Sequence, residues 1–274
     1  MSQESTAVEA LLRRERLVVV AGLVLITALA WWWVAIGADT GMSTLAMTTW
    51  QFPPPVRPSM IETWTPGYAI VMFFMWWTMM IAMMTASASP MVLLYGRAYR
   101  HEQRQGKLAP GIVPTFVFVL GYLLAWGVFS AIATGLQWGL ERAGLIHQML
   151  MWSVNPLFSA AILIVAGLYQ LTPLKTGCLK HCRSPAQFLS HNFRPGASGA
   201  LCLGWNHGLY CLGCCWFLMA LLFAGGIMNL VWIAGLAIYV LIEKVAPMGE
   251  LVARIAGDTM IVVGVFIAAG ALGN

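Results

Sequence analysis

Seven stretches of this chain are apolar for roughly the length a helix needs to cross a bilayer, and that feature restricts the fold more than any other. They cover residues 17–36, 68–95, 112–140, 156–174, 200–223, 228–242 and 251–272. A hydrocarbon core about 30 Å thick takes roughly 20 residues of helix. Only 9% of the 274 residues are charged and the mean hydropathy is +0.78, so lipid is the solvent this sequence suits. The expected fold is an all-α, polytopic transmembrane helical bundle forming a single integral membrane domain over residues 1–274. The run at 228–242 is short for a full span, and its separation from the preceding run rests on Gly225-Gly226 alone. Six spans and seven are both compatible with the pattern, and seven is the expectation.

Basic residues set the expected orientation, because cytoplasmic loops carry most Lys and Arg. With the N-terminus inside, the inner segments hold Arg13, Arg14, Arg16, Arg97, Arg100, Arg104, Lys107, Lys175, Lys180, Arg183, Arg194, Lys244 and Arg254, against Arg57 and Arg142 outside. The net charge of +5 then follows from the inner loops and calls for no nucleic-acid partner. The expected location is the bacterial inner membrane. The first run is read as a retained anchor rather than a cleaved signal peptide, because it continues through Trp31-Trp32-Trp33, beyond the length of an h-region. Residues 37–66 form the longest outer loop, extended at Pro53-Pro54-Pro55 and carrying Met42, Met47, Trp50, Met60 and Trp64, which suit a membrane interface or a soft-ion mouth.

The cysteines are not scattered. All six, Cys178, Cys182, Cys202, Cys211, Cys214 and Cys215, fall after residue 177. Cys178 and Cys182 lie in an expected cytoplasmic loop at 175–199, a reducing compartment where thiols stay free, bind metal or do redox work. With His181 between them they form half a metal site, and Lys180 and Arg183 would favour the thiolates. A redox dithiol is the rival reading, and His191 and Cys202 are further candidate partners. On the fifth run, His207, Cys211, Cys214 and Cys215 share one helical face about 100° wide, whereas Cys202 points away. Any one of these thiols alone reads as helix packing. Three thiols and an intramembrane histidine together point to metal or redox work.

The second run adds Met72, Met75, Met79 and Met83 in one stripe, with Met80 and Met84 beside it. Such a stripe serves either as adaptable packing or as soft thioether ligands, of which Met79 and Met83 are the ones placed in the metal set. Glu250, Arg254 and Asp258 are spaced for i, i+4 pairing. Asp258, Asn229 and Glu243 are candidate members of a proton or cation relay, with Glu243 and Lys244 expected at the membrane surface.

Trp76-x-x-Met79-x-x-Ala82-Met83-Met84, Tyr169-Gln170-Leu171-Thr172-Pro173-Leu174-Lys175 leading into Cys178, Cys211-Leu212-Gly213-Cys214-Cys215-Trp216 and Met228-Asn229-Leu230 occur together. In this combination the chain resembles a bacterial family described as predicted metal-binding integral membrane proteins. The resemblance implies membrane location and metal binding, with no reaction attached. The donor chemistry puts copper first as the bound ion, with zinc or iron as alternatives. The functions that follow are Cu(I) handling or transfer, a membrane-embedded metal- or thiol-dependent oxidoreductase, or an assembly factor for a membrane metalloprotein complex. The partners implied are the lipid bilayer and a metal chaperone or partner membrane protein.

Overall fold

A computed structural model describes residues 2–55, 63–109 and 111–273, with backbone alone for residues 2–15. The fold is all-helical: α1 (Ser2–Ala35), α2 (Pro66–Arg104), α3 (Thr115–Arg142), α4 (Pro156–Gln170), α5 (Pro173–Arg183), α6 (Pro185–Asn192), α7 (Gly196–Gly225), α8 (Leu230–Val245) and α9 (Gly249–Leu272). Four of the helix starts follow one chemical rule. Thr65, Asn155, Thr172 and Asn229 each accept a backbone N–H with the side-chain oxygen, and at the first three a proline follows, whose missing donor costs nothing there.

Within the described residues, α1 from Arg16 onward, α2, α3, α7 and α9 are long and apolar enough to cross a membrane. The other two expected spans differ from the sequence pattern. The run at 156–174 is broken at Leu171-Thr172-Pro173, so α4 and α5 meet at a 65° bend and reach span length only as a pair. The run at 228–242 becomes α8, with 16 residues. The supposed loop at 175–199 is helical over much of its length, as α5 and α6. The glycine break before α8 is where expected: α7 stops at Gly225 and Gly226 takes φ +111°, a backbone conformation that suits glycine.

Two close-packed helix pairs organise the bundle. Between α3 and α7, an added Cβ on Gly204 would collide with the Phe118 carbonyl, and one on Gly208 would come within 2.6 Å of Ala125 Cβ. Between α4 and α9, Gly167 and Gly257 play the same part, each lying against the other's backbone carbonyl. Small residues let helix backbones approach where lipid supplies no hydrophobic drive. Around α3 and α7 gather α2, α5 and α8, and the buried methionines, aromatics and cysteines form one continuous core.

Helix α8 is tied at both ends. At its start, buried Asn229 donates to the carbonyls of Thr49 and Gly225, and the Leu230 N–H donates to Thr48 Oγ1. At its far end the surface position expected for Glu243 and Lys244 is overturned: they are 0% and 8% exposed, because each has found a charged or polar partner inside the bundle.

Candidate metal centre

The face of α7 expected from periodicity is buried as a unit. His207, Cys211, Cys214 and Cys215 are each 3% exposed or less. Cys214 Sγ lies 3.2 Å from Cys215 Sγ. A fourth thiol joins from another helix: the bend after α4 turns α5 across α7 and brings Cys182 Sγ to 3.9 Å from Cys214 Sγ. Two bonds hold this crossing, from Tyr169 Oη to the Gly213 carbonyl at 2.5 Å and from Lys175 Nζ to the Cys214 carbonyl at 2.5 Å. Gly213 makes the crossing possible, since a Cβ there would sit 2.7 Å from Cys178 Sγ. None of the six cysteines is in a disulfide.

Two ammonium groups are buried beside these thiols, and their partners differ. Lys175 pairs with Glu243, Nζ to Oε1 at 2.8 Å and to Oε2 at 2.9 Å, with the two side chains 1% and 0% exposed. Among the described residues Lys244 forms no salt bridge with a carboxylate: it donates to Cys211 Sγ at 2.8 Å and to Ser87 Oγ at 3.3 Å. A buried ammonium without a counter-charge costs several kcal/mol. With Glu243 paired to Lys175, the sulfur nearest the Lys244 ammonium is that of Cys211, and an ammonium beside a thiol favours its thiolate form. Tyr122 Oη, 3.1 Å from the same sulfur, completes its surroundings. Of the two neighbours expected to favour the thiolates, Lys180 is exposed and Arg183 donates to the carbonyls of Ala246 and Pro247.

His207 sits one turn before Cys211 in a ring of Phe118, Tyr122 and Phe188, and its buried Nδ1 has no hydrogen-bond partner among the described residues. The methionines of α2 are all buried: Met72, Met75, Met79, Met80 and Met84 are 0% exposed, and Met83 and Met91 are 2%. The row ends at the thiols, because Tyr122 Oη touches the Met84 carbonyl at 3.4 Å as well as Cys211. From Met72 to Met84 the helix rises about 18 Å.

Other candidates do not join this group. His181 is exposed, stacked on Tyr210 at 4.4 Å, with Nδ1 2.9 Å from the Gly177 carbonyl. His191 is also exposed, its Nδ1 2.9 Å from the Gln187 carbonyl. Cys202 lies 3.9 Å from both Arg194 and Asn206, away from the cluster as its angle on the helix required. The relay set is not contiguous: Asn229 caps one end of α8, Glu243 pairs at the other, and Asp258 is exposed on α9. Met47 of the outer loop is buried, Trp50 is 87% exposed, and Met60 and Arg57 lie outside the described residues. Among the described residues, no three of His, Cys, Asp or Glu are arranged to hold a metal ion as they stand. A structural zinc site needs four protein donors, whereas a soft monovalent ion is served by fewer, thiolates and thioethers included.

The model of the PpoB2 family, a family of copper chaperones, matches residues 73–267, well over half of the chain. The chain belongs to this family. No curated protein and no solved structure matches it. The PpoB2 match takes in α2 from Phe73 onward, α3 to α8 and most of α9, so the thiols, both buried lysines and the methionines from Met75 to Met84 all lie within it. Membership of a copper chaperone family supports copper handling in general, and the sulfurs of Cys182, Cys211, Cys214 and Cys215 are soft donors of the kind copper takes. Sequence reasoning missed Lys175, Lys244 and Tyr122 as neighbours of the thiols. Lys175 did stand inside a quoted motif; Tyr122 gave no signal at all.

Proposed function

We propose that this chain carries Cu(I) inside the bacterial inner membrane, receiving it along the buried methionines of α2, holding it at the α7 thiols with Cys182, and passing it to a partner protein. The observation that carries this reading is the convergence of Cys182, Cys214 and Cys215 beside a Cys211–Lys244 pair, at the end of a methionine row, in a copper chaperone family. Copper is the substrate here. Cys211 and a second thiol would ligate it, with His207 Nδ1 as a further donor one turn away.

Charge balance supports the monovalent ion. A Cu(I) held by two thiolates is a unit of net charge −1, and the Lys244 ammonium beside it brings the total to zero. The Lys175–Glu243 pair is already neutral. Tyr169, Lys175 and Gly213 hold α5 across α7 and so keep Cys182 in place. The exposed His181 and the half-exposed Cys178 on the same helix would meet the receiving protein. By the distribution of Lys and Arg, that side is the cytoplasm.

A thiol oxidoreductase is the second reading, and the 3.9 Å separation of Cys182 and Cys214 favours it. The test is elemental analysis of anaerobically purified chain with and without serine at Cys211 and Cys214. Copper in the parent and none in the variant supports the carrier. A parent that holds no copper, yet shows a reversible dithiol potential, supports the oxidoreductase.

A further inference from the structure

A buried acid stands at the opposite end of the methionine row from the thiols. Glu141, near the end of α3, is 4% exposed, and among the described residues no lysine, arginine or histidine pairs with it. Its partners are two neutral donors. Trp64 Nε1 donates to Oε2 at 2.7 Å and Gln137 Nε2 donates to Oε1 at 2.8 Å. The same Gln137 nitrogen points at the thioether of Met72, 3.5 Å away, and the Gln137 carbonyl accepts from Trp76 Nε1 at 2.8 Å. Gln137, Met72 and Trp76 are all 0% exposed. A carboxylate oxygen and a sulfur thus face one another across a single amide group.

Thioethers attract a soft ion but carry no charge, so a row of them cannot by itself offset the cost of taking a cation out of water. An anionic group is needed where the cation first loses its water. The thiols supply one at the Cys211 end. At the Trp64 end the described residue that can supply one beside a methionine sulfur is Glu141.

We propose that Met72 and Glu141 form a second Cu(I) site, the receiving one, in which the ion takes the place of the Gln137 amide hydrogens between sulfur and carboxylate while that amide swings aside. This rests on the reading of the chain as a Cu(I) carrier. The site pairs one soft ligand with one charged ligand, so it takes a soft monovalent cation and releases it to Met75 and Met79 farther along α2. Trp64 covers the carboxylate from the loop side, and Trp76 holds the displaced amide by its carbonyl.

The experiment uses the full-length chain in detergent, titrated with Cu(I) under reducing, anaerobic conditions against a chromogenic chelator, with X-ray absorption on the loaded protein. In a Cys182, Cys211, Cys214 and Cys215 to Ser background, about one Cu(I) per chain remains, bound by sulfur and oxygen. Adding Glu141→Gln or Met72→Leu weakens it at least about tenfold. In the otherwise wild-type chain Glu141→Gln lowers the copper ratio by about one and leaves the thiol-bound copper, which also shows that this variant folds. Loss of all copper on removal of the thiols, or a residual ion indifferent to both Glu141→Gln and Met72→Leu, overturns the receiving site and leaves the thiol site standing. Absence of copper from the parent chain overturns both.

Discussion

Lys244 Nζ lies 2.8 Å from Cys211 Sγ, and both side chains are buried. The pair ties the last turn of α8 to the middle of α7, and it makes the sulfur of Cys211 unlike the other five. Lys244→Met should therefore lower Cu(I) affinity by at least about tenfold, or about 1.4 kcal/mol, and slow alkylation of Cys211, whereas Lys244→Arg should retain part of both. Chelator competition and mass spectrometry of labelled peptides measure the two effects. Wild-type affinity in Lys244→Met would rule out a role for this charge.

The thiols should separate into two classes by their place in the fold. Serine at Cys211 or Cys214 is expected to remove most of the thiol-bound copper, and serine at Cys182 to weaken it. Serine at Cys202, which lies against Arg194 and Asn206, should change nothing. Metal content of each purified variant decides this, and a loss at Cys202 equal to that at Cys211 would contradict the site.

The Lys175–Glu243 pair is sealed from solvent, so removing one partner leaves a charge with nothing to balance it. Glu243→Gln should cost about 3–5 kcal/mol and lower the temperature of unfolding in detergent. The double change Lys175→Met, Glu243→Leu should recover most of the loss, since an apolar pair of similar volume avoids the desolvation cost.

Gly204 offers a test of the scaffold without touching any ligand. Alanine there would press its methyl group into the Phe118 carbonyl and drive α3 from α7, taking Tyr122 away from Cys211. A stability loss of about 1–3 kcal/mol is expected from overpacking, together with weaker copper binding. Thermal unfolding and chelator competition on the same sample report both.

Ion preference follows from the donors. Ag(I), soft and monovalent, should displace Cu(I) from the loaded chain, and Zn(II) in excess should not. Retention of zinc in place of copper under reducing conditions would point to a tetrahedral site instead.

What could be read from residues alone was whatever repeats with the helical period. His207, Cys211, Cys214 and Cys215 fall on one face because the α-helix puts them there, and the Met72 to Met83 stripe follows by the same geometry. The end of α7 at Gly225-Gly226 was legible because glycine there relieves a backbone constraint. The approach of Cys182 to Cys214 is not legible, because a Thr-Pro step inside an apolar run gives no measure of the angle that follows. The burial of Lys244 runs against its sequence pattern, because a lysine ending an apolar run normally snorkels to water. Its burial depends on a sulfur 33 residues away. Glu141 ends a long apolar run in the same manner; its partner Gln137 is one turn back on α3, but Trp64 comes from the loop before α2, 77 residues away.

The attachment of α8 at both ends gives the chain a stiff connecting rod. One end is fastened through Asn229 and Leu230 to Thr49 and Thr48 of the long loop before α2, the other through Lys244 to Cys211. A helix of 16 residues resists compression and carries a push along its axis over about 24 Å. Thr48 and Thr49 in that loop are thus joined to the charge beside the thiols by a single rigid helix.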